Sequence, residues 1–136
     1  MLYRIADRIR RSLRHNLGKD GEDLAHRYLR RKKYLVVARN YRPASGAPGE
    51  IDLVAWDGPK LVFVEVKTRA GDRTGFPERA VDGVKRNLII RTARDYVRRT
   101  NSSWENVRFD VISITGVRKP RIEHLVGAFA EPMTID

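Results

Sequence analysis

Two short segments, Gly49-Glu50-Ile51-Asp52-Leu53-Val54-Ala55 and Leu61-Val62-Phe63-Val64-Glu65-Val66-Lys67, constrain this chain more than any other part of it. Both have the β-branched and aliphatic content of buried strands, yet they carry carboxylates and a lysine. Between them lies Trp56-Asp57-Gly58-Pro59-Lys60, whose Asp-Gly step signals a hairpin turn. The two strands should therefore pair antiparallel. Pro59 has no N–H to give a ladder, so a four-residue loop from Asp57 to Lys60 is expected, with Trp56 opposite Leu61. Counting back then sets Asp52 opposite Glu65, and Glu50 opposite Lys67. Side chains alternate with a period of two, so all four share one face.

Directly opposed residues have Cβ atoms roughly 4.5–5.5 Å apart, and like charges there destabilise the pair. Something positive must sit between Asp52 and Glu65. Oxygen-only ligands at that separation suit a hard divalent cation, magnesium or manganese, which keeps several waters and accepts phosphate oxygens as further ligands. Lys67, two residues beyond Glu65, could orient a metal-activated water or stabilise charge on phosphate. The competing explanation is a solvated sheet face with Glu50 and Lys67 as an ordinary ion pair. Against it, both faces near the turn are apolar, with Val54, Leu61 and Phe63 on one and Leu53, Ala55, Val62 and Val64 on the other. A sheet covered on both sides leaves its charged cluster in a cleft at one end.

The chain has 136 residues, enough for one domain with a core. Its formal charge of +11 implies a polyanionic partner, nucleic acid above all, the alternative being a basic but unspecialised protein. There is no cysteine, which excludes disulfides and thiolate zinc sites and fits a reducing cytoplasm. No apolar run reaches the length of a membrane span, and no secretory signal is expected. His15, His26 and His124 are scattered without ligand spacing and read as surface or capped residues.

Residues 1–17 carry Leu2, Ile5, Ile9 and Leu13 at helical spacing, with Arg4, Arg8, Arg11 and Arg14 elsewhere on the wheel. This basic amphipathic helix could pack on a single domain formed by residues 18–136, grip phosphates or lie on an anionic membrane. A second helix is expected from Gly21 to about Lys33, capped by Asp20, with Glu22 on the same stripe as Ala25 and Leu29. A first-turn carboxylate is also favoured by the helix dipole alone. Tyr34 to Ala38 reads as a strand, and Asn40 to Pro48 as a turn-rich connection. The loop from Ala70 to Pro77 leaves the charged end of the hairpin just after Arg69 and is placed to close over a substrate.

The longest helix is expected from Glu78 to about Arg99, with Val81, Val84, Leu88, Ala93, Tyr96 and Val97 apolar. Arg91, Arg94 and Arg98 form a basic stripe on it, either solvated or touching phosphate. Lys85 lies early in the helix, where a cation opposes the dipole, and is a candidate for substrate contact. Val107 to Ile114 reads as another strand, with Asp110 breaking its pattern as an edge position would. Arg121 to Val126 reads as a last, peripheral strand.

Four blocks carry a resemblance: Gly21-Glu22-Asp23-Leu24-Ala25, Gly49 to Ala55, Val64-Glu65-Val66-Lys67-Thr68-Arg69, and Arg108-Phe109-Asp110-Val111. In order and spacing they resemble the bacterial YraN family, which is similar to archaeal Holliday-junction resolvases and is classed with restriction-endonuclease-like proteins of the D…(D/E)xK type. The resemblance covers roughly Gly18 to Ile114. It implies an α/β restriction-endonuclease-like core, a central mixed sheet in αβββαβ order flanked by helices. It also implies Asp52 and Glu65 as metal ligands, Lys67 as the lysine of the ExK element and Glu22 as a further acidic residue from the first core helix. Where the family has a Lys-Gln pair, this chain has Lys85-Arg86.

The expectation is a magnesium- or manganese-dependent endonuclease acting on DNA, with branched or otherwise structured DNA among its candidate substrates. Glu22, Asp52, Glu65 and Lys67 would form the catalytic set, and Arg69, Lys85, Arg91, Arg94 and Arg98 would be candidate phosphate contacts. By resemblance to the resolvases, a homodimer would cut two strands. The alternatives are a binding module with a vestigial site and a membrane-surface adaptor acting through residues 1–17.

Overall fold

The structure, a computed structural model, describes residues 18–69, 82–116 and 118–131. The helix expected over 1–17 and the loop expected over 70–77 lie outside the described residues.

The protein is α/β, and its organisation follows from the two apolar faces of the hairpin. Helix α1 occupies residues 18–31 and is followed by β1 (Leu35–Tyr41), β2 (Ile51–Asp57) and β3 (Lys60–Arg69). Helix α2 (Gly83–Thr100) then leads through one 3-10 turn, Trp104–Asn106, to β4 (Val107–Thr115) and β5 (Arg121–Phe129). The five strands form a mixed sheet in the order β1-β2-β3-β4-β5. Only β3 and β4 run parallel, and α2 is the crossover between them.

One face carries Val54, Leu61, Phe63, Phe109 and Val111 against Ile89, Ile90, Ala93 and Val97 of α2. Phe109 stacks between Phe63 and Phe129, which closes this core toward β5. The other face presents Leu53, Val62, Val64, Ile112 and Ile114 to Ala25 and Leu29 of α1. Burial on both sides explains why β2 and β3 read as near-continuous apolar runs.

The hairpin turn is tighter than expected. Asp57 pairs with Lys60, so the loop is Gly58-Pro59 alone, yet Trp56 still faces Leu61 and the register runs back to Leu53 opposite Val64. Pro59 lies inside the turn, where its missing N–H costs the ladder nothing.

Several helix and strand limits differ from expectation. Residues 18–31 are all helical, so Asp20 lies inside the helix and is not its N-cap. Helix α1 ends two residues before Lys33, which adopts φ +70, while Tyr34 N–H donates to the Leu29 carbonyl. Asn101 closes α2 in the same left-handed conformation (φ +54). These are Schellman-type ends without the glycine that usually announces them. Helix α2 begins at Gly83, not Glu78, because Asp82 is extended and its side chain accepts from Lys85 N–H. Val84, expected to face inward, is therefore largely exposed. Strand β1 runs to Tyr41 rather than Ala38, and β5 to Phe129 rather than Val126.

Asp110 is not on an edge strand. β4 lies between β3 and β5, and Asp110 is fully buried. Its carboxylate accepts from Arg108 Nε (2.9 Å) and Nη2 (3.0 Å) and from the Gly127 N–H (3.0 Å), and it lies 2.7 Å from His124 Nε2. Arg108 also donates to Asp57 and to the Tyr34 hydroxyl, and Tyr28 meets the other ring nitrogen of His124. His124 is thus a nearly buried member of a polar network, not a surface histidine. The register of β4 against β5 shifts between Phe109 and Val111, which brings the Gly127 N–H onto Asp110.

Two glycines set close approaches. A Cβ on Gly21 would run into Thr68 Cγ2, so α1 lies tightly on the end of β3. Gly49 has φ +131, and a Cβ there would run into Thr92 Oγ1 on α2. Gly49→Ala combines backbone strain with that clash, and we expect it to cost about 2 kcal/mol or more. Urea unfolding checks this as a lower midpoint with an unchanged slope.

Candidate active site

The face that packs on α2 continues past the core into a charged end. Asp52 follows Val54 at strand spacing, and Glu65 and Lys67 follow Phe63. At Asp52 the backbone ladder between β2 and β3 has ended, and the side chain takes over: Asp52 Oδ2 accepts the Val66 N–H at 2.8 Å. This locks one carboxylate oxygen against β3. The Glu65 carboxylate lies close enough for its charge to act on Asp52.

Two lysines serve Glu65, which is only 6% exposed. Lys85 Nζ, from the first turn of α2, lies 2.6 Å from Glu65 Oε1, and Lys67 Nζ lies 3.7 Å from the same oxygen. The cleft above them has a volume of about 360 Å³ and is lined by Glu50, Asp52, Glu65, Asp82, Val84, Lys85, Leu88 and Ile89. At about 30 Å³ per water, that is room for a phosphodiester and a hydrated cation.

Electrostatics here are strained in a patterned way. Asp52 is pushed up to about 8, first by burial and then by the Glu65 charge, against the opposing pull of the Val66 N–H. Lys67 is held below the usual lysine range, by burial and then by its contact with Lys85. For Lys85, burial works against the charge, but its contacts with Glu65 and Lys67 and the charges of Glu65 and Asp52 together outweigh it and leave the ammonium above its ordinary range. Titratable groups pushed apart in this way, inside a cleft, mark a functional site more often than a packing accident.

The donor set fits a hard divalent cation of the magnesium type. It consists of oxygens alone, and the Glu65 charge acting on Asp52 is a repulsion that a cation between them would relieve. Among the described residues, no three His, Cys, Asp or Glu side chains cluster as a complete cage. Magnesium sites commonly have one or two carboxylates, with water and phosphate completing the shell.

The other expected residues fall in three groups. Glu50 does not oppose Lys67 as an ion pair; it precedes β2 and meets Arg42 Nη2 at 3.2 Å, because the left-handed Gly49 turns the chain before the strand begins. Glu22, on α1, lines a neighbouring cleft that shares Glu50 with the first. With its amide nitrogen facing the carboxylates, Asn40 bridges Glu22 Oε2 and Glu50 Oε1, each at 3.1 Å. Arg39 pairs with Asp23 at 2.8 Å and lies 3.7 Å from Glu22. Glu22 is near enough for its charge to help raise Asp52.

The basic candidates do not form one surface. Arg69 ends β3 on the same side of the pleat as Glu65 and Lys67. Arg94 is drawn away to Glu131 and lies over the Trp104 ring at 4.3 Å from its centroid, while Arg98 meets Asp95. Arg91 and Arg98 line a shallow pocket beside Pro43 and Pro48 instead. Sequence reasoning missed Asn40 and the Asp110 network. Asn40 gives no signal, because it adopts φ +52 inside a segment read as a loop.

The family model described as Uncharacterised protein family UPF0102 matches residues 21–114, from the start of the Glu22 block to the end of β4. The chain belongs to the UPF0102 family. This is the family read above as YraN. A UPF0102 protein of Solibacter usitatus is 56% identical over 130 residues, covering 95% of this chain and 98% of the relative. One from Geobacter sulfurreducens is 46% identical, covering 85% and 91%, and one from Rhodococcus opacus is 44% identical, covering 85% and 98%. The UPF0102 match contains all four residues of the proposed catalytic set together with Lys85. Among the described residues, no helix of this UPF0102 protein is long and apolar enough to cross a membrane.

Proposed function

We propose that this chain is a divalent-cation-dependent endonuclease that hydrolyses phosphodiester bonds in DNA, built on a restriction-endonuclease-like core. The observation that carries the reading is the juxtaposition of Asp52 and Glu65, two carboxyls lining one cleft, with the ammonium groups of Lys67 and Lys85 beside Glu65. A charge of +11 on a chain this short supports a polyanionic substrate.

Asp52 and Glu65 would hold magnesium or manganese, which supplies Lewis-acid stabilisation of charge on phosphate and eases deprotonation of the attacking water. Asp52 is held in place by the Val66 N–H, so its free oxygen is aimed before substrate arrives. Lys67 Nζ, held below the usual lysine range by burial and by its contact with Lys85, can orient the attacking water or donate a hydrogen bond to phosphate. Glu22 acts through Asn40 and Glu50, setting the negative potential behind the cleft. Contacts from Arg69 and the basic residues around the cleft would go to phosphate, so little base sequence would be read. Branched or structured DNA as preferred substrate, and a homodimer that cuts paired strands, complete the reading.

The test is cleavage of linear duplex, single-stranded and four-way-junction DNA with magnesium or manganese, alongside Asp52→Ala and Lys67→Ala. Metal-dependent cutting by the wild type and a loss of at least about 100-fold in each variant is expected. DNA binding should persist in Lys67→Ala and weaken steeply with salt. No metal-dependent cutting above the variants on any substrate, with binding retained, would favour a binding module instead.

A further inference from the structure

Lys85 is in an unfavourable place for a lysine. It sits in the first turn of α2, three residues after the Asp82 cap, where the helix dipole repels a cation. Its backbone N–H already satisfies Asp82, so the cap does not need its side chain. The side chain instead reaches Glu65 Oε1 at 2.6 Å, closer than Lys67 does from β3. Glu65 is nearly buried, and Lys85 is about two-fifths exposed at the rim of the cleft. One end of this ion pair is therefore fixed, and the other is free to leave.

A dication bound to Glu65 would sit about 2.1 Å from a carboxylate oxygen. An ammonium held at hydrogen-bonding distance from the same oxygen would face it at very short range, with like charge. Both cannot use Oε1 together. A lysine displaced to the rim would meet whatever anion enters the cleft; among the described residues, the lining beyond Asp52 and Glu65 offers it only the carboxylates of Glu50 and Asp82.

We propose that Lys85 is a resident counter-cation that occupies Glu65 in the metal-free protein, yields Oε1 to the divalent cation, and then binds a phosphate of the DNA. Metal and nucleic acid thereby load the site cooperatively, since each favours the same released position of one side chain. This rests on the nuclease reading and adds a positioning role for Lys85 to it.

The test is manganese binding to the full chain without DNA, read by electron paramagnetic resonance, for wild type, Lys85→Met and Lys85→Gln. Both variants remove the competitor and leave Lys67 to face Glu65, so manganese affinity should rise roughly tenfold, the worth of one charged hydrogen bond. With calcium in place of manganese, both should bind DNA more weakly than wild type, with a salt slope reduced by about one. Wild type that binds manganese while both variants bind it no tighter overturns the role of Lys85 and leaves the nuclease reading standing. If neither wild type nor variants bind manganese, the metal site itself fails, and this inference with it.

Discussion

Asp52→Asn is expected to abolish cleavage while raising the melting temperature of the metal-free protein at pH 8. The folded-state carboxyl titrates near 8 and its ordinary value is 3.8, so its pKa is raised on folding. A group raised in this way costs stability as pH climbs from about 4 toward 8, because the folded state must keep a proton that the unfolded chain gives up. At about 1.4 kcal/mol per unit, discounted because the Glu65 charge contributes to the same shift, the cost reaches a few kcal/mol at pH 8. The amide introduced by Asp52→Asn would mimic the protonated acid: its carbonyl can still accept the Val66 N–H, and its NH2 can donate to Glu65. We therefore expect a gain of roughly 5–10 °C at pH 8 in the presence of EDTA, shrinking toward zero near pH 4. Thermal melts of both proteins from pH 4 to 9 check this, and parallel melting curves across the range would show that the site carries no such strain. Stability given up at a site needed for chemistry is a common trade.

Asp110→Ala should have the largest effect on stability, at about 3–5 kcal/mol, the usual cost of leaving one partner of a buried charge network unpaired. Arg108 loses two of its hydrogen bonds, and the Gly127 N–H and His124 lose their acceptor. The melting temperature should fall by roughly 10 °C or more. Burial pushes the Asp110 carboxyl up, but His124, Arg108 and the Gly127 N–H together hold it below the usual carboxylate range. Its folded pKa is depressed, so its contribution is present above about pH 4 and is lost as pH falls below that, on the opposite limb from Asp52. Asp110 shares its face with Ile112 and Ile114, packed toward α1, whereas the cleft opens toward α2. Cleavage per folded molecule is therefore expected to survive at low temperature. Differential scanning calorimetry at pH 7, with an activity assay at 10 °C, separates the two effects.

The sheet and the acidic pair were legible because their information is local. The Asp57-Gly58 step set a hairpin, strand alternation carried its register to Asp52 and Glu65, and apolar runs on both faces implied two covering layers. The shorter turn changed nothing downstream, since Asp57–Lys60 pairing preserves the register of Trp56 with Leu61. What was not legible depends on partners far away in sequence. Asp110 looked like an edge defect because His124 and Gly127, which satisfy it, come from β5. The one local hint was Arg108, two residues away and so on the same face of the strand. Helix starts were weakly marked: Asp20 has the type of a cap but lies inside α1, whereas Asp82, read as part of a helix from Glu78, is extended with its side chain on a backbone N–H. Lys85 was visible as a misplaced cation, but its target was not, because α2 crosses over β3 by tertiary packing alone.

The most direct measurement is a crystal structure with manganese, located by its anomalous scattering. The predicted result is a single peak bridging Asp52 and Glu65, with Lys85 moved off Glu65 Oε1. A structure at saturating manganese with no peak there, and with Lys85 still on Glu65, would contradict the metal-dependent nuclease.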